Sequence, residues 1–296
     1  MKFTALLLSV ITLLASGASR ADFTAASAQR GDFKEREEFN QTYELAQGAL
    51  VEVSSIRGGV EIVTGNTLMA EVKIIRTART RADLEYHKIE VKLSGKGLVV
   101  RGVQEPERRQ RENVQVNHQV ILTLPRRVDL SVHSISGPLK VGDVDGQVQA
   151  SSISGSANIG NVSGKVDVKS ISGSFEVGNV GGEARVTSVS GSLHLGQVNG
   201  SLEVSSVSGS LNATLDSLSP QGIHIKSISG SVEIRFENEV NADFNAVSVS
   251  GKVYLDVPNV FRDNEEDSSN VRARIGAGGT PISISSVSGN IRLKRS

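Results

Sequence analysis

From Ser134 onward, apolar and polar residues alternate in short runs, and each run opens on a glycine-bearing corner. The stretch Ser170 to Thr187, SISGSFEVGNVGGEARVT, shows the pattern. It divides into SISGSFEVG and NVGGEARVT, which both read polar, apolar, any, Gly, any, apolar, any, small apolar, any. The same division works for residues 152–169 and 188–205. Alternation with period two marks a half-buried strand, as in Phe175 and Val177 or Val166 and Val168. Glycine at Gly173 and Gly182 supplies corner conformations that other residues reach only at a cost. The unit predicted is corner, strand, corner, strand.

The corner itself repeats. Ser-Ile-Ser-Gly or Ser-Val-Ser-Gly starts at Ser134, Ser152, Ser170, Ser188, Ser206, Ser227, Ser248 and Ser286. The first five starts are 18 residues apart, the next two gaps are 21, and the last is 38. A fixed period near this length signals stacked coils. The two corners of each unit differ, one Ser-rich and one opening on Asn, Gln or Asp, so like residues stack only if a coil holds 18 residues rather than nine. The fold predicted is all-β, a right-handed parallel β-solenoid with coils about 4.8 Å apart and a rod on the order of 40 Å long. Ile171, Phe175, Val177, Val180, Ala184 and Val186 are the expected inward positions of one coil. Burying each larger side chain stabilises by about 1.5–3 kcal/mol, whereas ordering each residue's backbone costs about 1–2 kcal/mol. A single coil therefore cannot stand alone, and stability must come from stacking.

The rest of the chain is placed around this array. Residues 1–21 read as a secretory signal peptide, with Lys2, the apolar run Ala5 to Ala15, and small residues at Ser19 and Ala21 before the cut. Residues 22–40 are expected to be a polar tether. Residues 41–133 are expected to be a β-rich region capping the first coil, with a hairpin turn at Ser94 to Gly97 and a degenerate corner at Ser54 to Gly58. Residues 134–296 are the solenoid, with an inserted loop at 259–281 that includes the acidic stretch 263–269. The chain ends on a strand whose Lys294 and Arg295 are expected to guard an open edge.

Composition narrows the function. The 32 basic and 32 acidic residues balance, which gives no electrostatic reason to bind nucleic acid. Cysteine is absent, so disulfides, thiol nucleophiles, zinc–thiolate sites and a lipid-modified cysteine are excluded. No segment after the first 21 residues is an apolar run long enough to span a membrane as a helix. The five histidines, His87, His118, His133, His194 and His224, form no metal-like cluster and read as surface residues. Asp167, Arg185 and Glu203 fall at equivalent outward positions and read as cross-strand support. Asp143 and Asp145 share a corner, but later corners carry Asn161, Asn179 and Gln197, which argues against repeated calcium sites. The glycines at 276, 278 and 279 precede a strand, not a helix, so they make no phosphate cradle. The many corner serines read as hydrogen-bonding ladders rather than nucleophiles. No catalytic, cofactor-binding or metal residue is assigned, and no cofactor is expected.

The Ser-Val/Ile-Ser-Gly repeat, the run Val120 to Pro125 and the closing Ile282 to Leu293 together resemble a family of bacterial β-strand-repeat envelope proteins called putative adhesins, a domain of unknown function. The resemblance implies a non-enzymatic, exported envelope protein, periplasmic or at the surface of a Gram-negative bacterium. An adhesin or partner-binding scaffold is the leading reading, its partner an envelope protein or a surface glycan, and the chain a monomer. The alternatives are a β-helical carbohydrate-active enzyme and an accessory or sensor component of an envelope stress system. Sugar-cleaving β-helices need clustered carboxylates and aromatic platforms, and this chain has no Trp and three Tyr.

Overall fold

The computed structural model describes residues 33–95, 97–104, 114–263 and 268–296. One rung shows how the repeat folds. Val166–Ser172 is a long strand; the chain turns at Gly173, runs through the short strand Phe175–Val177, and passes Val180 before the next long strand, Ala184–Ser190. Val166 pairs with Ala184, Phe175 with Leu193 and Val180 with Val198, all in parallel. Every side of the rung thus pairs with the residue 18 positions on, as the alternating corners require. The two strands are unequal, and the stacked Val144, Val162, Val180 and Val198 add a third side one residue wide. The architecture is the parallel β-solenoid expected.

Five of the six expected core positions, Phe175, Val177, Val180, Ala184 and Val186, are buried. The sixth is a correction: Ile171 is 54% exposed. The Ser-Ile-Ser segment is not the corner but the end of the long strand. Inward positions run Val166, Val168, Ser170, which puts Ile171 on the outer face. The corner falls on Gly173 alone. Its φ is +137°, and a Cβ there would lie 2.7 Å from the carbonyl carbon of Gly155 in the rung before. Only a residue without a side chain permits that approach.

The inward serines correct a second expectation. Ser152, Ser170, Ser227 and Ser286 are buried, and their hydroxyls meet no hydrogen-bond partner among the described residues. Ser248 does bond, donating to the carbonyl of Gly289 at 2.8 Å. In those four rungs the serine fits by its size beside the corner, not by a hydroxyl ladder. The ladder runs through the opposite corner. There the side-chain oxygens of Asp143, Asn161 and Asn179 accept from the backbone N–H of Asn161, Asn179 and Gln197 at 2.8–2.9 Å.

The rungs do not stack in chain order at either end. Thr280–Ser288 lies between Ile223–Ser229 and Ala242–Ser250, parallel to both, and pairs Ser286 with Ser227 on one side and Ser248 on the other. Ile291–Arg295 likewise lies between Val232–Phe236 and Val253–Asp256. The last repeat in the sequence is therefore an inner rung, and Lys294 and Arg295 do not guard an open edge. Lys294 pairs with Glu233 at 2.9 Å and Arg295 with Glu239 at 3.5 Å. The segment expected as a loop at 259–281 holds strands Val260–Arg262 and Asn270–Ile275, which pair antiparallel with each other; Asn270–Ile275 also pairs with Ala242–Ser250. Much of the acidic stretch 263–269 lies outside the described residues.

The other end uses the same device. Ala49–Gly65 is a complete rung flanked by Val128–Ser136 and Leu139–Val141 on one side and Gly97–Gln104 and Val116–Pro125 on the other. Antiparallel strands then close the stack: His87–Ser94 on Gly97–Gln104, Met69–Ala78 on Val116–Pro125, and Glu35–Glu44 outermost. Ser94 faces Gly97, the hairpin the sequence predicts. Glu35–Glu44 is a strand although it overlaps the stretch expected as a tether; the rest of that stretch to Asp32, and the signal-peptide reading, lie outside the described residues. A short helix, Arg81–Tyr86, was not anticipated. The degenerate corner Ser54 to Gly58 carries one extra residue. Ser55 takes φ +59°, the register shifts there, and Ile56 turns inward and is fully buried.

Candidate interaction face

The long strands present three outward columns. The innermost of these on the strand contains Gln149, Asp167, Arg185, Glu203 and His224 at successive levels. Arg185 donates through Nε to Glu203 at 2.9 Å and through Nη2 to Glu183 at 3.0 Å, while Lys169 approaches Asp167 at 3.7 Å. These exposed pairs hold Arg185 above its ordinary pKa, first through its hydrogen bond to Glu203. Arg185 and Glu203 bond across the rungs as the alternating signs predict, whereas the ion pair of Asp167 is with Lys169 of its own strand.

The next column contains Ser151, Lys169, Thr187, Ser205 and Lys226. His133 continues it upward, with Nδ1 2.6 Å from the Ser151 hydroxyl and Nε2 3.2 Å from that of Ser131. The third column is the one sequence reasoning placed in the core. Ile153, Ile171, Val189, Val207 and Ile228, continuing through Val287 to Val249, form an aliphatic stripe beside the corner, each 44–71% exposed. The signal was in the chain: this position is Ile or Val in every repeat, while its outward neighbours change from Asp to Arg to Glu.

The remaining candidates are dispersed. His194 and His224 are exposed on different strands, as expected. His118 is a correction: it is 3% exposed, and neither ring nitrogen has a hydrogen-bond partner among the described residues. It occupies the end of the glycine column, in register with Gly58, and its ring lies 6.3 Å from that of His87. Burial, then the nearby His87 and Arg76, push its pKa down to about 4. Asp143 and Asp145 both face Arg126, at 3.1 and 3.8 Å, so the acidic corner holds an internal cation. Among the described residues, no three His, Asp or Glu side chains are grouped to hold a metal ion, and no helix is long and apolar enough to cross a membrane.

Parallel rungs with a self-paired outer face and a bare aliphatic stripe define a β-solenoid of the stacked-rung kind. Residues 51–294 match the family model described as Toastrack DUF4097, and the chain belongs to that family. No curated protein matches it. Among solved structures it is similar to a "putative adhesin" from Bacteroides fragilis, at 10% identity over 87% of this chain and 97% of that one, with a TM-score of 0.48. It is also similar to a "putative adhesin" from Parabacteroides distasonis, at 12% identity over 86% and 97% with a TM-score of 0.44. A "putative lipid binding protein" from the same species matches at 10% identity over 87% and 97%, with a TM-score of 0.30.

Proposed function

We propose that the chain is exported and serves in the bacterial cell envelope as a non-enzymatic, adhesin-like scaffold that binds an envelope protein or a surface glycan along the outer face of its long strands. One observation carries the reading. The rungs hold one backbone and one core at fixed register, while the outward side chains at the level of Asp167, Arg185 and Glu203 differ from rung to rung. Such a surface is a rigid linear platform with a defined order of charges, suited to reading an extended partner. The carboxylates Glu183 and Glu203 beside that face are both bonded to Arg185, and its columns from Gln149 to Ile228 carry no Phe, Tyr or Trp.

Two measurements test this. Mass spectrometry of the native N-terminus is expected to find the chain beginning after Ala21; a retained Met1 overturns export by cleavage. Purified protein is then pelleted with fragments of cell envelope. The wild type is expected to co-sediment, and the variant Asp167→Lys with Glu203→Lys to bind at least tenfold more weakly while its melting temperature, lowered by the loss of the Arg185–Glu203 pair, stays well above the temperature of the assay. Equal binding by both, or no binding by either, overturns the reading.

A further inference from the structure

We propose that this chain pairs with a second copy of itself through the aliphatic stripe from Ile153 to Val249, the two stripes interdigitating across a two-fold axis. The inference is independent of the adhesive reading.

The position is not explained by the needs of the strand. β-branched side chains suit a pleated surface, but threonine meets that need and keeps a hydroxyl for water. Thr187 does so one column away, yet the stripe is Ile or Val at every level from Ile153 to Val249. With about half of each side chain bare, the stripe leaves on the order of 600 Å² of apolar surface exposed, the upper end for a soluble monomer. Two copies meeting along it would bury about 1,200 Å², the lower bound of a stable specific interface.

Geometry selects the occupant. The stripe is a row of knobs at the rung spacing of about 4.8 Å over seven levels, each knob set between two serines that pair in parallel with those of the next rung. A partner must carry the same spacing over the same length to fill the gaps between knobs. A second copy of this face does so without adjustment. In-register ladders of small branched side chains close on each other as dry, interlocking seams. A patch meeting itself across a two-fold axis is used up in the pair, so assembly stops at two.

The flanks permit the contact. On the corner side lie the exposed Ser154, Ser172 and Ser190, and on the other side Ser151, Thr187 and Ser205, so mostly hydroxyls line the seam. The cations beside it, Lys169 and Lys226, sit on long stems that carry the charge to the rim. No carboxylate from the Asp167 column has to be buried to bring the stripes together.

Sedimentation equilibrium of the purified full chain tests the proposal. A dimer is expected at tens of micromolar. The triple variant Ile171→Lys, Val189→Lys, Val207→Lys is expected to be a monomer with a melting temperature within a few degrees of wild type, since all three side chains already face solvent. Because the chain has no cysteine, a single Val207→Cys reports the seam directly. Val207 is the middle of the seven levels and meets its own mate in either two-fold arrangement. Mild oxidation should crosslink Val207→Cys within minutes and leave Glu176→Cys, on the other sheet, uncrosslinked. A wild type that stays monomeric at 100 micromolar, a dimer that survives the triple lysine variant, or equal crosslinking of the two cysteine variants overturns the proposal.

Discussion

Ser286 stands beside Ser227 in the strand ladder, and Ser248, which precedes it in the chain, lies one level further out. The closing strand follows the same order. The carbonyl of Asn290 accepts from the N–H of Val232, and the N–H of Ile291 donates to Lys252, both at 2.9 Å. Removing residues 290–296 therefore opens a slot inside the stack rather than trimming an edge. It strips partners from strands on both sides and uncovers the core around Ile291 and Leu293, both fully buried. The truncated chain is expected to lose its cooperative thermal transition, whereas removal of an edge strand would shift it by a few degrees. Differential scanning calorimetry separates the two.

Gly173→Ala is expected to cost several kcal/mol. The new methyl group would meet the backbone of Gly155, which cannot move without disturbing the rung before it, and φ of +137° is closed to alanine. Gly65→Ala has open space around it and is expected to change stability by less than about 1 kcal/mol. Urea denaturation of both variants is the check, and similar midpoints would refute the role assigned to the column.

Three neighbouring substitutions test which way the side chains face. Val177→Asp puts a carboxylate at a position 2% exposed and is expected to destabilise by several kcal/mol. Glu176→Lys changes an exposed residue whose carboxylate accepts a hydrogen bond from the side-chain amide of Asn158, and is expected to stay within about 0.5 kcal/mol. Ile171→Thr, at a site the repeat pattern alone would put in the core, is expected to behave like Glu176→Lys in thermal melts, not like Val177→Asp.

Deleting residues 170–187 joins Lys169 to Ser188 and removes one whole rung. All three sides of the coil pair at the same offset of 18, so the remaining rungs can close on each other. A folded protein with a lower melting temperature is expected. Deleting residues 179–187 removes half a rung and sets a long strand over a short one. That protein is expected to be unfolded by circular dichroism; equal stability of the two deletions would show that 18 is not the coil length.

Stability should fall on acidification through His118. Its folded pKa is about 4 against an ordinary 6.5, so the unfolded chain binds a proton in this range that the folded one refuses. The neutral ring's contribution is complete above pH 6.5 and is withdrawn as pH falls toward 4, by about 3 kcal/mol in all. His87, lowered by burial and then by the charge of Arg57, moves stability in the same direction. Melting curves between pH 7 and 4.5 should show a steeper decline for wild type than for His118→Leu. Parallel declines would remove His118 from the account.

The repeat made the coil legible because periodicity reports register, and register in a parallel stack is the fold. It left Ile171 on the wrong side because a serine in the core, Ser170, and an aliphatic on the surface reverse the usual reading of a polar–apolar pair. Ser55 shows the converse: one extra residue with positive φ flips Ile56 inward, and nothing in SSIRG announces it. The exchanged order of the last two rungs was illegible for a different reason. Ser248 and Ser286 carry the same motif, so composition cannot say which of them Ser227 will choose. The burial of His118 was missed because it depends on strands, Met69–Ala78 and Ala49–Gly65, that pair with its own strand from far away in the chain.

The slot between Ser227 and Ser248 also sets an order of events in time. A solenoid whose rungs stacked as they were made could wind up progressively as the chain emerged from a ribosome or a translocation channel. Here the native level between Ser227 and Ser248 is filled only after Ala242–Ser250 has been made, since Thr280–Ser288 and Ile291–Arg295 follow it in the chain. The rung at Ala242–Ser250 therefore reaches its native neighbour only once residues 280–295 have arrived. A chain that lacks those residues carries an open slot with bare strand edges on both walls.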